Sequence, residues 1–268
     1  MSTRTPDGQE RGRPPVVLPA GPDALLVELG SGEETEAFHA EVLRRRAAGE
    51  LPGVREVVPA ARTVLLDGIA RDTAGLAREL ASWRVPPLRR DTGELVEIPV
   101  VYDGPDLAGV AEAWGVAVAE VARIHAGTGF RVAFCGFAPG FGYLTGLPDR
   151  FHLPRRATPR TRVPAGAVAL AGPYTGVYPR PSPGGWQLIG RMPDPAALWN
   201  PDREPPALLA PGARVRFVEA GTGASTSTST STSTSTSTGT GTGMGTGTGM
   251  GTGTSTGTGT STGTGAGA

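Results

Sequence analysis

Apolar and polar positions change period several times along this chain. ALLVEL (24–29) alternates and stops at Gly30, the pattern of a half-buried strand. EETEAFHAEVLRRRAAG (33–49) has helical spacing, with acids first, arginines late and Gly49 as its stop, the arrangement a helix dipole favours. VREVV (54–58) and TVLLD (63–67) predict two short strands, and DTAGLARELASW (72–83) a helix with Asp72 as its cap. ELVEIPVVY (94–102) predicts another strand. The order strand–helix–strand–strand–helix–strand is that of a ferredoxin-like α/β domain, placed at 20–90. The last strand can equally open a second domain, because VPPLRRDTG (85–93) has the composition of a linker.

Two short helices follow, over 105–115 and 117–127, and then the apolar strand RVAFCGF (131–137). Residues 138–193 are dense in Pro and Gly, with β-prone runs at 166–172 and 186–191, and ARVRFVEA (213–220) closes the pattern. Many short strands between turn signals predict a closed or sandwiched β-structure over 91–220, and an α+β fold for the whole.

Composition removes both ends from this picture. From Gly221 to Ala268 the chain is Ser-Thr and Gly-Thr repeats without a charge or an aromatic ring, so it cannot bury enough apolar surface to offset its ordering entropy. Residues 1–19, rich in Arg, Pro and Gly, read as loose. Net charge is zero, which gives no general attraction to nucleic acid or an acidic membrane. No apolar run approaches the roughly 18–20 residues of a membrane span, and no signal peptide begins the chain. The one cysteine, Cys135, precludes an intrachain disulfide and fits a reducing cytoplasm. All 25 basic residues are arginine, so Schiff-base and Walker A lysines are excluded, and a bound nucleotide would be held by arginines or backbone amides.

Candidate chemistry collects between residues 136 and 191. No Asp or Glu occurs from Arg150 to Pro193, whereas Arg150, Arg155, Arg156, Arg160, Arg162, Arg180 and Arg191 do. Planar guanidinium forks suit carboxylate or phosphate. Acids elsewhere, such as Glu94, Glu97 or Glu219, are the alternative partners. GFAPGFGYLTGLP (136–148) offers a close backbone approach at its glycines and an apolar wall from Phe137, Phe141 and Tyr143. YPRPSPGGWQLIGR (178–191) is stiffened by three prolines and flanked by arginines. Together these three segments predict one concave site. His125 ends a helix, as a C-terminal cap or as a general base. His39 reads as a surface residue and Cys135 as a packed, inert thiol. No metal-ligand cluster is apparent.

The string from Gly136 to Arg191 resembles the signature of the family of 5-oxoprolinase B subunits, also called KipI-like or allophanate hydrolase subunit 1-like. The likeness extends through IPVVYDGPDLAGVA (98–111) and PGARVRFVEA (211–220), and departs at Ala61, Ala167 and Met192. The resemblance implies a cyclophilin-like β-barrel after the α/β domain. It implies a direct partner, the C subunit of 5-oxoprolinase, together with the enzyme's A subunit, and ATP-driven opening of the lactam 5-oxo-L-proline to L-glutamate. Under that reading Arg160 or Arg191 holds the substrate carboxylate or a phosphate, Tyr178 and Trp186 pack the ring and exclude water, and Arg155, Phe141 and Tyr143 line the same substrate site. Gly140 and Gly184 present backbone donors to a developing oxyanion, Ser182 lines the same substrate site, and His125 orients the lactam or a water. The alternatives are an inhibitor of a sensor histidine kinase, as some members of the family are described, or a share in a urea- or allophanate-processing system.

Overall fold

The computed structural model describes residues 14–221 apart from 52, 71 and 89–92. The ends expected to lack order, 1–13 and 222–268, and residues 89–92 of the expected linker lie outside the described residues.

In the N-terminal layer, β2 (Leu25–Glu28) pairs antiparallel with β4 (Thr63–Ile69), and β3 (Val54–Pro59) pairs with the other side of β4. β1 (Val16–Pro19) runs antiparallel along β2, giving the order β1-β2-β4-β3. Two expectations are corrected here. Residues 16–19 are a strand, not loose chain. Val16, Val17 and Leu18 favour extended backbone, and the ladder with β2 satisfies their amides and carbonyls. The strand predicted at 94–102 does not complete this sheet. β1 occupies that edge, and β5 (Leu95–Val100) pairs in parallel with β13 (Arg214–Glu219) along its whole length. Alternation explains the choice, because Val96, Ile98 and Val100 are buried in the second core beside Val215 and Phe217.

α1 (Gly32–Ala47) begins where the Ser31 hydroxyl accepts the Glu34 N–H at 3.1 Å, and Gly49 beyond its end has φ +74°. It buries Phe38 and Val42, while α2 (Thr73–Ser82) buries Leu76 and Leu80, all against Val27, Val64 and Leu66. Asp72 stands at the N-cap position of α2, but its carboxylate makes no capping hydrogen bond. His39 is buried within α1 rather than exposed, and burial lowers its pKa. α1 also reaches the second layer, where Glu36 pairs with Arg131 at 3.2 Å.

The second layer is a seven-stranded sheet in the order β12-β9-β10-β7-β6-β13-β5. Its remaining strands are β6 (Gly129–Cys135), β7 (Gly142–Thr145), β9 (Ala167–Ala171), β10 (Tyr174–Val177) and β12 (Gln187–Arg191). β8 (Arg160–Val163) and β11 (Ser182–Gly184) form a separate two-stranded ribbon. The sheet curls until its edges meet. Val101, just past β5, exchanges two 2.9 Å backbone hydrogen bonds with Arg191 of β12. The result is a mixed α/β fold whose main sheet is a curled half-barrel, with α3 (Leu107–Trp114) and α4 (Val118–Gly127) packed on it. Curling has a consequence for the site. It carries residues 101–106 alongside β12, where Gly104 and Asp106 donate their N–H groups to the carbonyls of Ile189 and Leu188.

Candidate functional site

Phe141, Tyr143, Tyr178 and Trp186, predicted from separate segments, are brought together. Phe141 meets the other three edge-on at ring separations of 5.0 Å (Tyr143), 5.3 Å (Tyr178) and 5.6 Å (Trp186). Such edge-to-face packing is the favoured geometry of aromatic pairs. The predicted role changes, however. Phe141, Tyr178 and Trp186 are buried and pack with Val163, Ala169 and Leu188 as a small core of their own. They form the floor under the loops rather than a ligand-facing wall. The rings that reach solvent around them are Phe137, Tyr143, Phe134 and Tyr174. Phe134 stacks on Tyr143 at 4.3 Å. Neither Phe134 nor Tyr174 is among the candidate residues read from the sequence, and strand pairing places them here.

Phe137 is the most unusual of these residues. It has φ +69°, left-handed backbone in a non-glycine residue, and is 56% exposed. An exposed aromatic side chain held in a strained conformation is the kind of feature that clusters at ligand sites. Phe137 meets Phe141 and Tyr178 edge-on and also borders an apolar cleft of about 540 Å³, with Gly140, Trp199, Pro205 and Leu209. Gly140 belongs to this cleft. Its φ is +82°, and a Cβ there would lie 2.8 Å from the Leu198 carbonyl oxygen. Cys135 lies in the same wall. Its thiol donates to the Leu209 carbonyl at 3.4 Å, and burial pushes its pKa up to about 11.

The arginines of the 150–191 stretch do not line this cleft. Burial raises the pKa of the Tyr178 hydroxyl, and the charges of Arg155 and Arg160 oppose the rise. Gly184 of β11 faces the same hydroxyl, where a Cβ would collide with it. Ser182 stands at the other end of β11, and its hydroxyl donates to the Arg180 carbonyl at 3.3 Å. The absence of acids from 150 to 193 does not leave Arg156, Arg160 and Arg191 unpaired. Asp106 Oδ1 accepts Arg156 Nη1 at 2.8 Å and Arg160 Nη2 at 2.7 Å, and its Oδ2 accepts the Leu188 N–H at 2.7 Å. Arg191 is paired with Asp103 at 2.9 Å, at the far end of β12 from Trp186. It therefore leaves the group. Of the acids expected as partners, Glu97 pairs instead with Arg216. The true partners, Asp103 and Asp106, sit in YDGPDLAG, about 50 residues or more before the arginines in the chain, where nothing local links them to that stretch.

His125 is also displaced from its predicted catalytic role. It is 0% exposed, with Tyr102 Oη 2.8 Å from Nδ1 and Thr175 Oγ1 3.4 Å from Nε2. Phe130 and Phe217 enclose the ring. Burial lowers its pKa to about 3. The imidazole joins α4 to the sheet and is fully enclosed. Among the described residues no group of three or more His, Cys, Asp or Glu could hold a metal ion, and no helix is long and apolar enough to cross a membrane.

This curled sheet, with its aromatic floor and arginine-bearing loops, has known counterparts. The family model of the carboxyltransferase domain, subdomain C and D, matches residues 15–209. The 5-oxoprolinase B subunit of Escherichia coli O157:H7 is 42% identical over 177 residues, which are 63% of this chain and 79% of that protein. The 5-oxoprolinase B subunit of Bacillus subtilis (strain 168) is 40% identical over 219 residues, 74% of this chain and 90% of that one. The chain belongs to the family of 5-oxoprolinase B subunits. Among solved structures, TTHA0988 matches with a TM-score of 0.62 at 39% identity over 74% of this chain. The match covers 40% of TTHA0988, so the chain spans about two fifths of that protein. Kluyveromyces lactis urea carboxylase matches over 78% of this chain and 22% of its own, with a TM-score of 0.58 at 18% identity, a likeness of fold.

Proposed function

We propose that this chain is the B subunit of an ATP-dependent 5-oxoprolinase, acting with separate A and C subunits in the cytoplasm to open 5-oxo-L-proline to L-glutamate. The observation that carries the reading is the 40% identity over 90% of the Bacillus subtilis 5-oxoprolinase B subunit. We read its two layers as a ferredoxin-like domain and a cyclophilin-like barrel.

The chemistry asks for three things, and the site offers two of them. A small anionic lactam needs a cation for its carboxylate, and Arg160, whose charge acts on the Tyr178 hydroxyl, offers one. Its ring needs apolar contact, supplied by Phe137 and Tyr143 above the buried floor of Phe141, Tyr178 and Trp186. Its amide is resonance-stabilised, so ring opening must be coupled to a driving reaction, and ATP supplies that coupling as co-substrate of the assembly. The residues named here bind, orient and exclude water. No nucleophile is assigned to this chain.

The test is ATP hydrolysis by this chain mixed with the A and C subunits, with and without 5-oxo-L-proline. Lactam-dependent ADP and glutamate that disappear when this chain is omitted are the expected result. A folded, assembled mixture that turns over no lactam would refute the proposal.

A further inference from the structure

Asp106 immediately precedes α3, yet its side chain makes no capping hydrogen bond. Its carboxylate is 9% exposed and is committed instead to three distant groups: Arg156, Arg160 and the Leu188 N–H. Burial pushes the carboxyl pKa up, but the hydrogen bonds of Arg160 and Leu188 and both guanidinium charges outweigh it, so the net shift is downward and the group is ionised. Two guanidiniums against one carboxylate leave one positive charge. Arg156 Nε and Arg160 Nη1 are enclosed without a hydrogen-bond partner among the described residues, so folding leaves donors unsatisfied at this cluster.

We propose that Asp106 is a positioning and specificity-determining residue: it fixes Arg156 and Arg160 as a pair whose single net charge selects a monoanionic carboxylate over a dianion. This rests on the reading of Arg160 as the holder of the substrate carboxylate. Without Asp106 the two guanidiniums would repel each other and their combined charge would favour a doubly charged ligand. With Asp106 the cluster is matched to one carboxylate, and its geometry is set before the ligand arrives.

The experiment uses the full chain assembled with the C subunit and two ring probes, tetrahydrofuran-2-carboxylate and cis-tetrahydrofuran-2,5-dicarboxylate, with binding measured by ligand-detected NMR. The wild type should favour the monoanion. Asp106→Asn, which raises the cluster charge by one, should move the affinity ratio toward the dianion by about tenfold. Arg156→Gln, which lowers the charge by one, should move it the other way and weaken both probes. Should the asparagine variant melt early, the Arg156→Gln ratio decides alone. A purely structural role would weaken both probes equally, so an unchanged ratio in a folded variant overturns the proposal, as does a wild type that binds neither probe. A correct charge response without lactam turnover would sink the oxoprolinase reading and leave this inference standing.

Discussion

Replacing His125 by glutamine tests whether that imidazole is a buried neutral strut. In the folded chain burial holds its pKa at about 3. In the unfolded chain it returns to about 6.5. Below that value the unfolded state binds a proton that the folded state refuses, so stability falls with falling pH. The contribution is fully present above pH 6.5 and is lost between pH 6.5 and about 3. Each pH unit in that window is worth about 1.4 kcal/mol, so moving from pH 7 to pH 5 costs the wild type about 2 kcal/mol through His125 alone. Glutamine cannot titrate but can keep one hydrogen bond to Tyr102 or Thr175. The stability gap between wild type and His125→Gln should therefore narrow by about 2 kcal/mol from pH 7 to pH 5. His39, also lowered by burial, adds a slope of the same sign, and it cancels because both proteins carry it. Urea unfolding at the two pH values measures the gap. A gap that stays constant would mean that His125 is protonated or solvated in the native state, and the imidazole would be open to proton exchange as a base must be.

Tyr102→Phe should cost about 1–3 kcal/mol in urea unfolding at pH 7, because it leaves His125 Nδ1 without its 2.8 Å partner inside the core; a loss under about 0.5 kcal/mol would contradict this. Gly140→Ala combines a φ of +82° with a Cβ 2.9 Å from that of Trp199, and should lower stability by about 2 kcal/mol while disturbing the apolar cleft. A melting temperature equal to the wild type's would show that the loop yields freely. Phe137→Gly relieves a left-handed non-glycine residue whose side chain is largely exposed, so unfolding free energy should change by less than about 1 kcal/mol, whereas lactam turnover by the assembled enzyme should fall about tenfold or more. Unchanged turnover would remove Phe137 from the site.

Local elements were legible in the chain alone. Helices at 33–49 and 72–83 and the strands at 54–58, 63–67 and 213–220 follow from periodicity and end signals, which act over a few residues and need no knowledge of distant chain. The specific string 136–191 likewise identified the family, and Phe141, Tyr143, Tyr178 and Trp186, which cluster, were all visible within it. The pairings were settled only in three dimensions. β5 joins β13 more than a hundred residues away because both bury one face in the same core, and β1 then completes the sheet that β5 leaves. Asp106 lies at the start of the helix expected over 105–115 with no signal of its own, until the curled sheet brings it within hydrogen-bonding distance of Arg156, Arg160 and Leu188. His125 looks like a candidate base until Phe130 and Phe217 enclose it. Charge and burial depend on what surrounds a side chain in space, so a residue's type and position in the sequence state what chemistry it can do, and only the packed fold states whether water, a ligand or another residue is there to receive it.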